Sequence, residues 1–339
     1  MDLAEFDYAL PEELIAQAPL DDRAASRMLV VDRARGSWED RQFRDLPAFL
    51  GAGDCLVLND SRVFPARLFG HRAGRTGEVQ VLLLRPVDSA AREWQALVHP
   101  GKKMRVGEKV LFADGLEAEV IARREFGERT LRFHTGRDVY EEFEKIGHVP
   151  LPPYIKRRDE AADRERYQTV FAREKGSAAA PTAGLHFTPD VLDASRARGA
   201  EVAFVTLHVG LGTFQPLRSD RIDGHRLHSE RFRISADNAA RMAAARRLVA
   251  VGTTSVRTIE SAMRSGGLRE TSGETDIFIY PGFGFRATGA MLTNFHLPRT
   301  SLMLLVCAFA GKDLALAAYR HAVEYRYRFY SYGDCMLII

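Results

Sequence analysis

Short segments of alternating apolar and polar residues occupy the chain between about residues 66 and 148. They lie at 78–85, 93–99, 109–112, 116–123 and 129–134, and turn signals such as Pro100-Gly101 and Asp114-Gly115 separate them. Short strands at regular spacing, without helices between them, predict a small antiparallel barrel.

The residues outside this region follow a different rhythm, in which helices and strands alternate. An apolar run at 55–58 ends at Asn59-Asp60, which indicates a buried strand that leads into a functional loop. After the proline-rich segment 149–153, Thr188 and Pro189 mark the start of a helix. Beyond it, the pattern predicts strands at 201–208, 248–251 and 275–280 and helices at 235–247, 255–264, 301–310 and 312–328.

Together the two patterns predict an α/β protein with two domains. A large α/β domain with a mixed sheet comprises residues 1–63 and 151–339. A small antiparallel β-barrel domain, residues 64–150, is inserted near its start.

The composition is that of a globular protein. Of the 339 residues, 46% are apolar and 27% are charged, which excludes collagen, coiled coil and extensive disorder. No stretch approaches the ~20 apolar residues of a membrane span, and the acidic N-terminus lacks a secretory signal. Cys55, Cys307 and Cys335 lie far apart, which fits a reducing compartment. We therefore expect a cytoplasmic protein without membrane contact.

Charge permits nucleic acid as a partner but does not indicate it. The net charge is +3, from 48 Lys and Arg against 45 Asp and Glu. Basic residues are concentrated at Arg62 and Arg67, at Lys102 and Lys103, and at 156–158. Such runs are ordinarily solvated faces. The two lysines, however, fall in a predicted hairpin of the barrel, which is a suitable place to hold a phosphate backbone.

Histidine, glycine, threonine and arginine are concentrated in four loops at predicted strand ends. The loops are 180–188, 208–214, 225–230 and 293–299, and they contain five of the ten histidines. Ligands of α/β proteins bind at the carboxyl ends of strands. A single histidine is more often a structural or surface residue than a catalyst, so the loops indicate a site only as a set.

Three other patterns have structural as well as functional explanations. His225, His228 and Glu230 resemble a metal site, but their spacing matches no established zinc motif, and we expect no metal. Segment 251–257 has strand–loop–helix form and suits a carboxylate or phosphate, although ordinary helix capping explains it equally well. No helical pattern follows the G-x-G-x-x-A match at 282–287, so it does not predict a dinucleotide site.

Motifs along the whole chain resemble one known family. They are FDYALP (6–11), IAQ (15–17), NDSRV (59–63), PARL (65–68), PGKK (100–103), PLPPYI (150–155), YQTV (167–170), YSYGD (330–334) and the four histidine loops. Their number and order make chance agreement negligible. The family is the S-adenosylmethionine:tRNA ribosyltransferase-isomerases of queuosine biosynthesis.

The resemblance implies an unusual reaction. The ribosyl part of S-adenosylmethionine moves to 7-aminomethyl-7-deazaguanine (preQ1) at the wobble position of a tRNA with a G-U-N anticodon. The ribose rearranges to an epoxycyclopentanediol, giving epoxyqueuosine, and adenine and methionine are released. S-Adenosylmethionine is then a consumed substrate, and no cofactor, metal ion or stable protein partner is implied.

This chemistry selects candidate residues within the resembling loops. The sulfonium acidifies the C5′ protons, so a neutral imidazole is a suitable general base. For proton transfer and positioning we predict His186, His208, His228, His296 and Glu230. For binding S-adenosylmethionine and preQ1 we predict Thr182, Gly184, Gly210, Gly212, Thr213, Thr253, Thr254, Ser255, Arg257, Asn294 and Arg299, with Arg257 or Arg299 on the methionine carboxylate. For tRNA binding the resemblance implies a contact with the barrel domain, residues 64–150, and we predict Arg62, Arg67, Lys102, Lys103 and Arg157.

Three rival functions stay open at this point. An S-adenosylmethionine-dependent RNA methyltransferase would release S-adenosylhomocysteine, although the glycine-rich motif of such enzymes is missing after the first strand. A catalytically silent tRNA-binding protein would consume nothing. A metal-dependent hydrolase built on His225, His228 and Glu230 would lose activity on chelation.

Overall fold

The elements of the chain were traced in a computed structural model that describes residues 1–88, 90–124, 127–210, 217, 221–222, 224–225 and 227–339. The strands are β1 (Arg27–Asp32), β2 (Ser37–Gln42), β3 (Asp54–Asn59), β4 (Ser61–Val63), β5 (Arg67–Arg72), β6 (Glu78–Pro86), β7 (Glu93–His99), β8 (Lys109–Phe112), β9 (Glu117–Arg123), β10 (Glu128–His134), β11 (Glu174–Ser177), β12 (Glu201–Leu207), β13 (Glu230–Ile234), β14 (Arg247–Val251), β15 (Thr271–Thr275), β16 (Thr288–Asn294) and β17 (Cys335–Ile338). The α-helices are α1 (Val139–Ile146), α2 (Asp163–Arg166), α3 (Pro189–Ala197), α4 (Ala236–Ala244), α5 (Thr253–Arg264), α6 (Ser301–Ala310) and α7 (Lys312–Glu324).

A large mixed sheet forms the main body of the protein. Within the described ranges its strand order is β15-β13-β12-β3-β14-β16-β17-β1-β2. The four strands β12, β3, β14 and β16 run parallel, whereas β17 and β1 form a second parallel pair in the opposite direction. The sheet and the barrel described below confirm the predicted fold class.

The alternation of side chains along each strand explains why both faces of this sheet are covered. Along β3, Cys55 and Val57 face one apolar cluster, while Leu56 and Leu58 face the other. The first cluster includes buried residues of α4, α5, α6 and α7, and the second includes residues of α3 and of the turn that contains Phe43. A strand that is buried on both faces has apolar residues at successive positions, and this is the pattern at 55–58.

The inserted segment forms a closed antiparallel barrel. Its strand order in the described part of the chain is β10-β7-β6-β5-β8-β9. Helix α1 follows β10 and inserts Phe143 between Trp94 and Phe133, with ring centroids 5.4 Å and 5.0 Å apart. Closure removes the free strand edges on which a small sheet would otherwise aggregate.

Two local predictions were wrong. The lysines of 102–103 do not lie in a hairpin, because β7 pairs with β6 and β10 while β8 pairs with β5 and β9. They belong to a short 3-10 turn, Gly101–Lys103. The strand predicted at 275–280 lies earlier, as β15, because polar residues suit that exposed edge and the apolar residues after it pack against the helices instead.

Contacts between the two units bring the barrel next to loop 225–230. The Nη1 atom of Arg85 donates to Oε1 of Glu274 over 3.0 Å. His228 Nδ1 lies 3.8 Å from Oε1 of Glu128 at the start of β10. Because β10 pairs with β7, this contact links loop 225–230 to the barrel strand that leads into the lysine turn.

The apolar C-terminal helices belong to the core. Taken singly, no helix in the described residues is long and apolar enough to cross a membrane; α6 and α7 meet that length and composition only as a pair bent by 115°. The three cysteines are free and buried.

Candidate functional site

A cleft opens where the parallel strands end. It holds about 500 Å³ and lies where β14 and β16 end, next to the residues that follow β12. Its lining residues are Tyr154, Ala180, Pro181, Thr182, Ala183, Val209, Gly252, Thr253, Thr254, Thr293, Asn294, Phe295, His296, Leu302, Tyr330 and Ser331. Three of the four histidine loops therefore contribute to one cavity, as expected for the carboxyl edge of a parallel sheet.

The first turn of α5 forms one wall of this cleft. Gly252 precedes the helix with φ +85°, a conformation that favours glycine, and a Cβ there would lie 3.4 Å from the Thr254 hydroxyl. The Thr254 Oγ1 atom is buried without a hydrogen-bond partner. The neighbouring Ser255 hydroxyl instead donates to the Val251 carbonyl over 2.8 Å, so it serves the helix and not the cleft.

Of the four candidate histidines, His296 is the one that lines the cleft. Its Nε2 atom lies 2.8 Å from Thr293 Oγ1. The Thr293 hydroxyl also reaches the Asn294 carbonyl at 3.3 Å. When the hydroxyl donates there, Nε2 carries the ring proton and Nδ1 is left as an acceptor. Burial lowers the pKa of His296 to about 3, so the imidazole is neutral near pH 7.

Asn294 presents an unpartnered acceptor in the same cleft. Its Nδ2 atom contacts the Tyr330 carbonyl at 3.1 Å and the Nε2 atom of His186 at 3.2 Å. Both amide hydrogens are thereby used, while the buried Oδ1 has no partner. A ligand N–H or O–H group would satisfy this atom, because a buried acceptor left without a partner costs about 1–3 kcal/mol.

His186 lies behind Asn294 and outside the cleft lining. Its Nδ1 atom is 2.9 Å from Ser26 Oγ, so both ring nitrogens are engaged. Burial, and then the charges of Arg23 and Arg328, lower the pKa of His186 to about 3. This geometry fits a residue that fixes the orientation of the Asn294 amide better than one that transfers a proton to a substrate.

A second cavity of about 350 Å³ adjoins the cleft and shares Leu302 with it. Apolar side chains of 277–279, α6 and Leu227 line most of it, together with His228 and Arg257. Arg257 is only 3% exposed, and its Nη1 donates to Glu230 Oε2. Its Nε and Nη2 atoms are buried without a partner, so they can receive a carboxylate.

Glu230 holds this arginine in place. Its Oε1 atom accepts the Gly210 N–H over 2.8 Å, and the carboxylate is 5% exposed. A buried carboxylate is stable only when it is paired and hydrogen-bonded, and Arg257 and Gly210 provide this. In this structure Glu230 therefore positions Arg257.

His208 belongs to the lining of neither cavity. Its buried Nδ1 has no partner, and its ring packs against Gly176, where a Cβ would lie 3.1 Å from the ring. Burial, and to a smaller extent the Arg231 charge, lowers the pKa of His208 to about 4. The absence of a side chain at Gly176 makes the room that this imidazole needs.

Other predicted substrate residues are placed differently. Thr182 and Thr253 line the cleft. Gly184 packs against Thr169 and Phe171, where a Cβ would approach to within 3.0 Å of both, which makes it a packing glycine. Arg299 is exposed and lies in neither cavity lining. Gly212 and Thr213 lie outside the described residues.

The predicted tRNA-binding residues divide into two groups. Arg67 donates to the Leu151 carbonyl over 2.7 Å, and Arg157 forms a two-pronged ion pair with Asp163 at 2.6 and 2.8 Å. Both hold the connector between the barrel and the sheet. Arg62, Lys102 and Lys103 are exposed.

An aromatic wall of the cleft, formed by Tyr154 and Tyr330, is not among the residues predicted from the sequence. The rings of Tyr154 and Tyr330 lie 4.0 Å apart between centroids, and the Tyr154 hydroxyl bonds to the Ser331 hydroxyl. Both tyrosines belong to motifs used for the family resemblance, PLPPYI and YSYGD, so a signal was present. In the described ranges no group of three or more His, Cys, Asp or Glu is arranged to bind a metal ion.

Comparisons with known proteins agree on one family. The family described as "Queuosine biosynthesis protein" matches residues 3–338. The S-adenosylmethionine:tRNA ribosyltransferase-isomerase of Solibacter usitatus is 68% identical over 355 aligned positions, and that of Symbiobacterium thermophilum is 53% identical over 346; both alignments cover all of each chain. The crystal structure of S-adenosylmethionine tRNA ribosyltransferase from Thermotoga maritima is 36% identical, with a TM-score of 0.57 over 99% of this chain and 100% of that one.

The buried neutral histidines predict that the protein loses stability in mild acid. In the unfolded chain His296 binds a proton near pH 6.5, whereas in the folded chain it does so near pH 3. Between these values the unfolded state binds more protons, so stability falls as the pH falls. For one such histidine the loss at pH 5 is about 2 kcal/mol.

Denaturant unfolding of the wild type and His296→Gln at pH 7 and pH 5 measures this effect. The variant should lose about 2 kcal/mol less than the wild type between the two pH values. His71→Gln, at an exposed barrel position, is the matched control. Equal losses in the wild type and His296→Gln would show that His296 is not buried as a neutral group.

Proposed function

This chain belongs to the S-adenosylmethionine:tRNA ribosyltransferase-isomerase family, and on that basis we propose how its two cavities carry out the reaction. The enzyme is a transferase and isomerase of queuosine biosynthesis. In the proposal it moves the ribosyl moiety of S-adenosylmethionine onto preQ1 in the anticodon of a G-U-N tRNA. Epoxyqueuosine-tRNA, adenine and methionine are the products, and S-adenosylmethionine is a consumed substrate.

The observation that carries the proposal is the pair of adjoining cavities with unlike linings. The cleft has buried polar atoms without partners, Asn294 Oδ1 and Thr254 Oγ1, and an aromatic wall. The second cavity is apolar except for Arg257, His228 and Ser301. S-Adenosylmethionine has matching halves: a nucleoside that needs hydrogen bonds and stacking, and a methionine with an aliphatic chain and a carboxylate.

Within this arrangement each half of the substrate meets specific groups. The methionine carboxylate accepts from Nε and Nη2 of Arg257, while Glu230 holds the guanidinium from its other side. The nucleoside occupies the cleft, with Asn294 Oδ1 as a hydrogen-bond acceptor. The sulfonium then lies near Leu302, which both cavities share, so its positive charge is not screened by water.

We assign the two proton transfers to His296 and His228. His296 is neutral and lines the cleft beside the nucleoside, where it can accept a C5′ proton. His228 lines the second cavity beside the Glu128 carboxylate, where it can take the proton that the aminomethyl nucleophile loses. His186 is a positioning residue for Asn294, and Glu230 is one for Arg257.

For the tRNA contact we propose three exposed cations. Lys102 and Lys103 are exposed on the turn after β7, and Arg62 is exposed on β4. The preQ1 base must leave its stack to reach a buried ribosyl donor. Arg67 and Arg157 stabilise the connector through internal bonds and are not needed for phosphate contact.

Product analysis tests the function directly. We expect purified protein, S-adenosylmethionine, EDTA and preQ1-containing tRNA to give free adenine, free methionine and an epoxyqueuosine nucleoside by mass spectrometry. A control tRNA with guanine at the wobble position should give none of them. S-Adenosylhomocysteine and a methylated tRNA would contradict the proposal, and turnover that EDTA abolishes would replace it with a metal-dependent one.

The carboxylate contact is tested by removing each partner separately. Arg257→Gln should raise the KM for S-adenosylmethionine about 10- to 100-fold, because it deletes charge-assisted hydrogen bonds worth about 1.5–3 kcal/mol. Wild-type enzyme should show a similar loss with decarboxylated S-adenosylmethionine. The variant should no longer distinguish the two substrates, and Arg257→Lys should fall between. Undiminished discrimination by a folded Arg257→Gln would place the carboxylate elsewhere.

The lysine turn is tested by binding. Lys102→Ala with Lys103→Ala should weaken tRNA binding and lower the slope of log K against log[KCl] by about 1 to 2, because each lost phosphate contact removes about 0.7–0.9. The KM for S-adenosylmethionine should not change. Arg35→Ala, at an exposed position after β1, is a control. Unaltered affinity and slope in the double variant would exclude this turn from the tRNA interface.

A further inference from the structure

A third cavity lies beside the cleft and plays no part in the reaction described above. It holds about 280 Å³, and its lining includes Leu20, Arg23, Arg166, His186 and Ser331. Ser331 lines the cleft as well, so the two cavities are neighbours. His186 separates them and contacts Asn294 of the cleft through Nε2.

Three arginines meet around this cavity. Arg23 and Arg166 line it, and Arg328 lies close enough for its charge, like that of Arg23, to lower the pKa of His186. Burial, and then the charge of Arg166, lower the pKa of Arg23 below its ordinary value. Like charges held this close repel one another, so the free protein tolerates an electrostatic cost here.

Among the described residues, no carboxylate forms a hydrogen bond with the guanidinium groups of this cluster. In the described part of the chain the hydrogen bonds of the three guanidinium groups go to backbone carbonyls: Arg23 to Gln168, Leu185 and Glu165, Arg166 to Leu20, and Arg328 to Ala18. The charge of Asp334 attracts Arg328 and offsets part of its charge, while the two carboxylate oxygens accept the backbone N–H groups of Arg27 and Arg328.

Two hydrogen-bond donors of the cluster lack an acceptor. The Nε atom of Arg166 and the Nη1 atom of Arg328 are buried and have no hydrogen-bond partner. A buried charged donor without an acceptor is unfavourable. An anion in the cavity that accepts from Arg166 Nε would remove that penalty, and its charge would weaken the repulsion among the three arginines. Arginine is the residue best suited to phosphate, because its planar N–H groups match phosphate oxygens.

We propose that this arginine cavity is a phosphate-binding site, and that it takes a backbone phosphate of the tRNA. That the bound phosphate belongs to a tRNA rests on the proposed function. The strand order supports a role in docking. Ser26 lines the arginine cavity and immediately precedes β1, which lies on one side of β14 and β16 in the sheet. His228, which contacts the barrel, comes just before β13, which lies on the other side. A tRNA held by both the arginine cavity and the lysine turn would span the cleft.

Two variants with opposite effects on the free protein test the site. Arg166→Gln with Arg328→Gln removes two cations and the unpartnered donors. Leu20→Glu instead introduces a carboxylate at the cavity lining, where it should pair with the arginines and compete with phosphate. Because Leu20→Glu relieves repulsion, its thermal midpoint should not fall, so a loss of binding cannot be attributed to unfolding. Arg320→Gln, at an exposed position on α7, is the matched control.

The readout is the affinity for an unmodified tRNA transcript, measured by fluorescence anisotropy at several KCl concentrations. We expect both variants to bind about 10- to 100-fold more weakly at 0.1 M KCl, with a salt slope lower by about 1. The control should match the wild type. Unchanged affinity and slope in folded Leu20→Glu would overturn the proposal.

Two further measurements separate the possible sources of phosphate. If inorganic phosphate raises the thermal midpoint of the wild type but not of Leu20→Glu, while both bind tRNA equally, the cavity binds free phosphate and the tRNA assignment is overturned. Adenine release from S-adenosylmethionine is measured separately. Its absence in wild-type protein would refute the proposed function, whereas weakened tRNA binding in the variants would still support the phosphate site.

Discussion

Buried polar atoms without protein partners are the constraint on which the site depends. The parallel strands bring the ends of β12, β14 and β16 to one edge of the sheet, where residues such as Thr254, Asn294 and His296 are buried. Asn294 Oδ1, Thr254 Oγ1 and two nitrogens of Arg257 are left unsatisfied there. A buried polar atom without a partner costs about 1–3 kcal/mol, so a ligand that supplied the missing partners would gain that free energy on binding.

The groups behind these atoms determine where they point. Glu230, 5% exposed, holds Arg257, and Gly210 in turn donates to Glu230. His186 and the Tyr330 carbonyl together use both hydrogens of the Asn294 amide, which leaves its oxygen toward the cleft. Two residues that look catalytic in the sequence, His186 and Glu230, thus line neither the cleft nor the second cavity and instead contact residues that do. Rigid placement of this kind is what lets a site act without reorganising.

The inserted barrel adds what the sheet alone lacks. A closed barrel has no free edge and can present an exposed basic turn without aggregating, whereas the large sheet uses its ends for the cleft. The contact between His228 and Glu128 ties loop 225–230 to the barrel. A tRNA that bound the lysine turn would then be held in a fixed position relative to the second cavity. The arginine cavity lies on the other side of the central strands and provides a second point of attachment.

The sequence by itself determined the fold class, most strand positions and the loops that form the site, because periodicity, caps and prolines are local signals. The buried run at 55–58 became β3, and Thr188 accepts the Val191 N–H at the start of α3. The sequence also contained the motifs of the family. Only the tertiary structure decided which side chains meet, since the direction of a side chain depends on partners far along the chain. His186 meets Asn294 across 108 residues, and nothing local to either histidine loop encodes that contact.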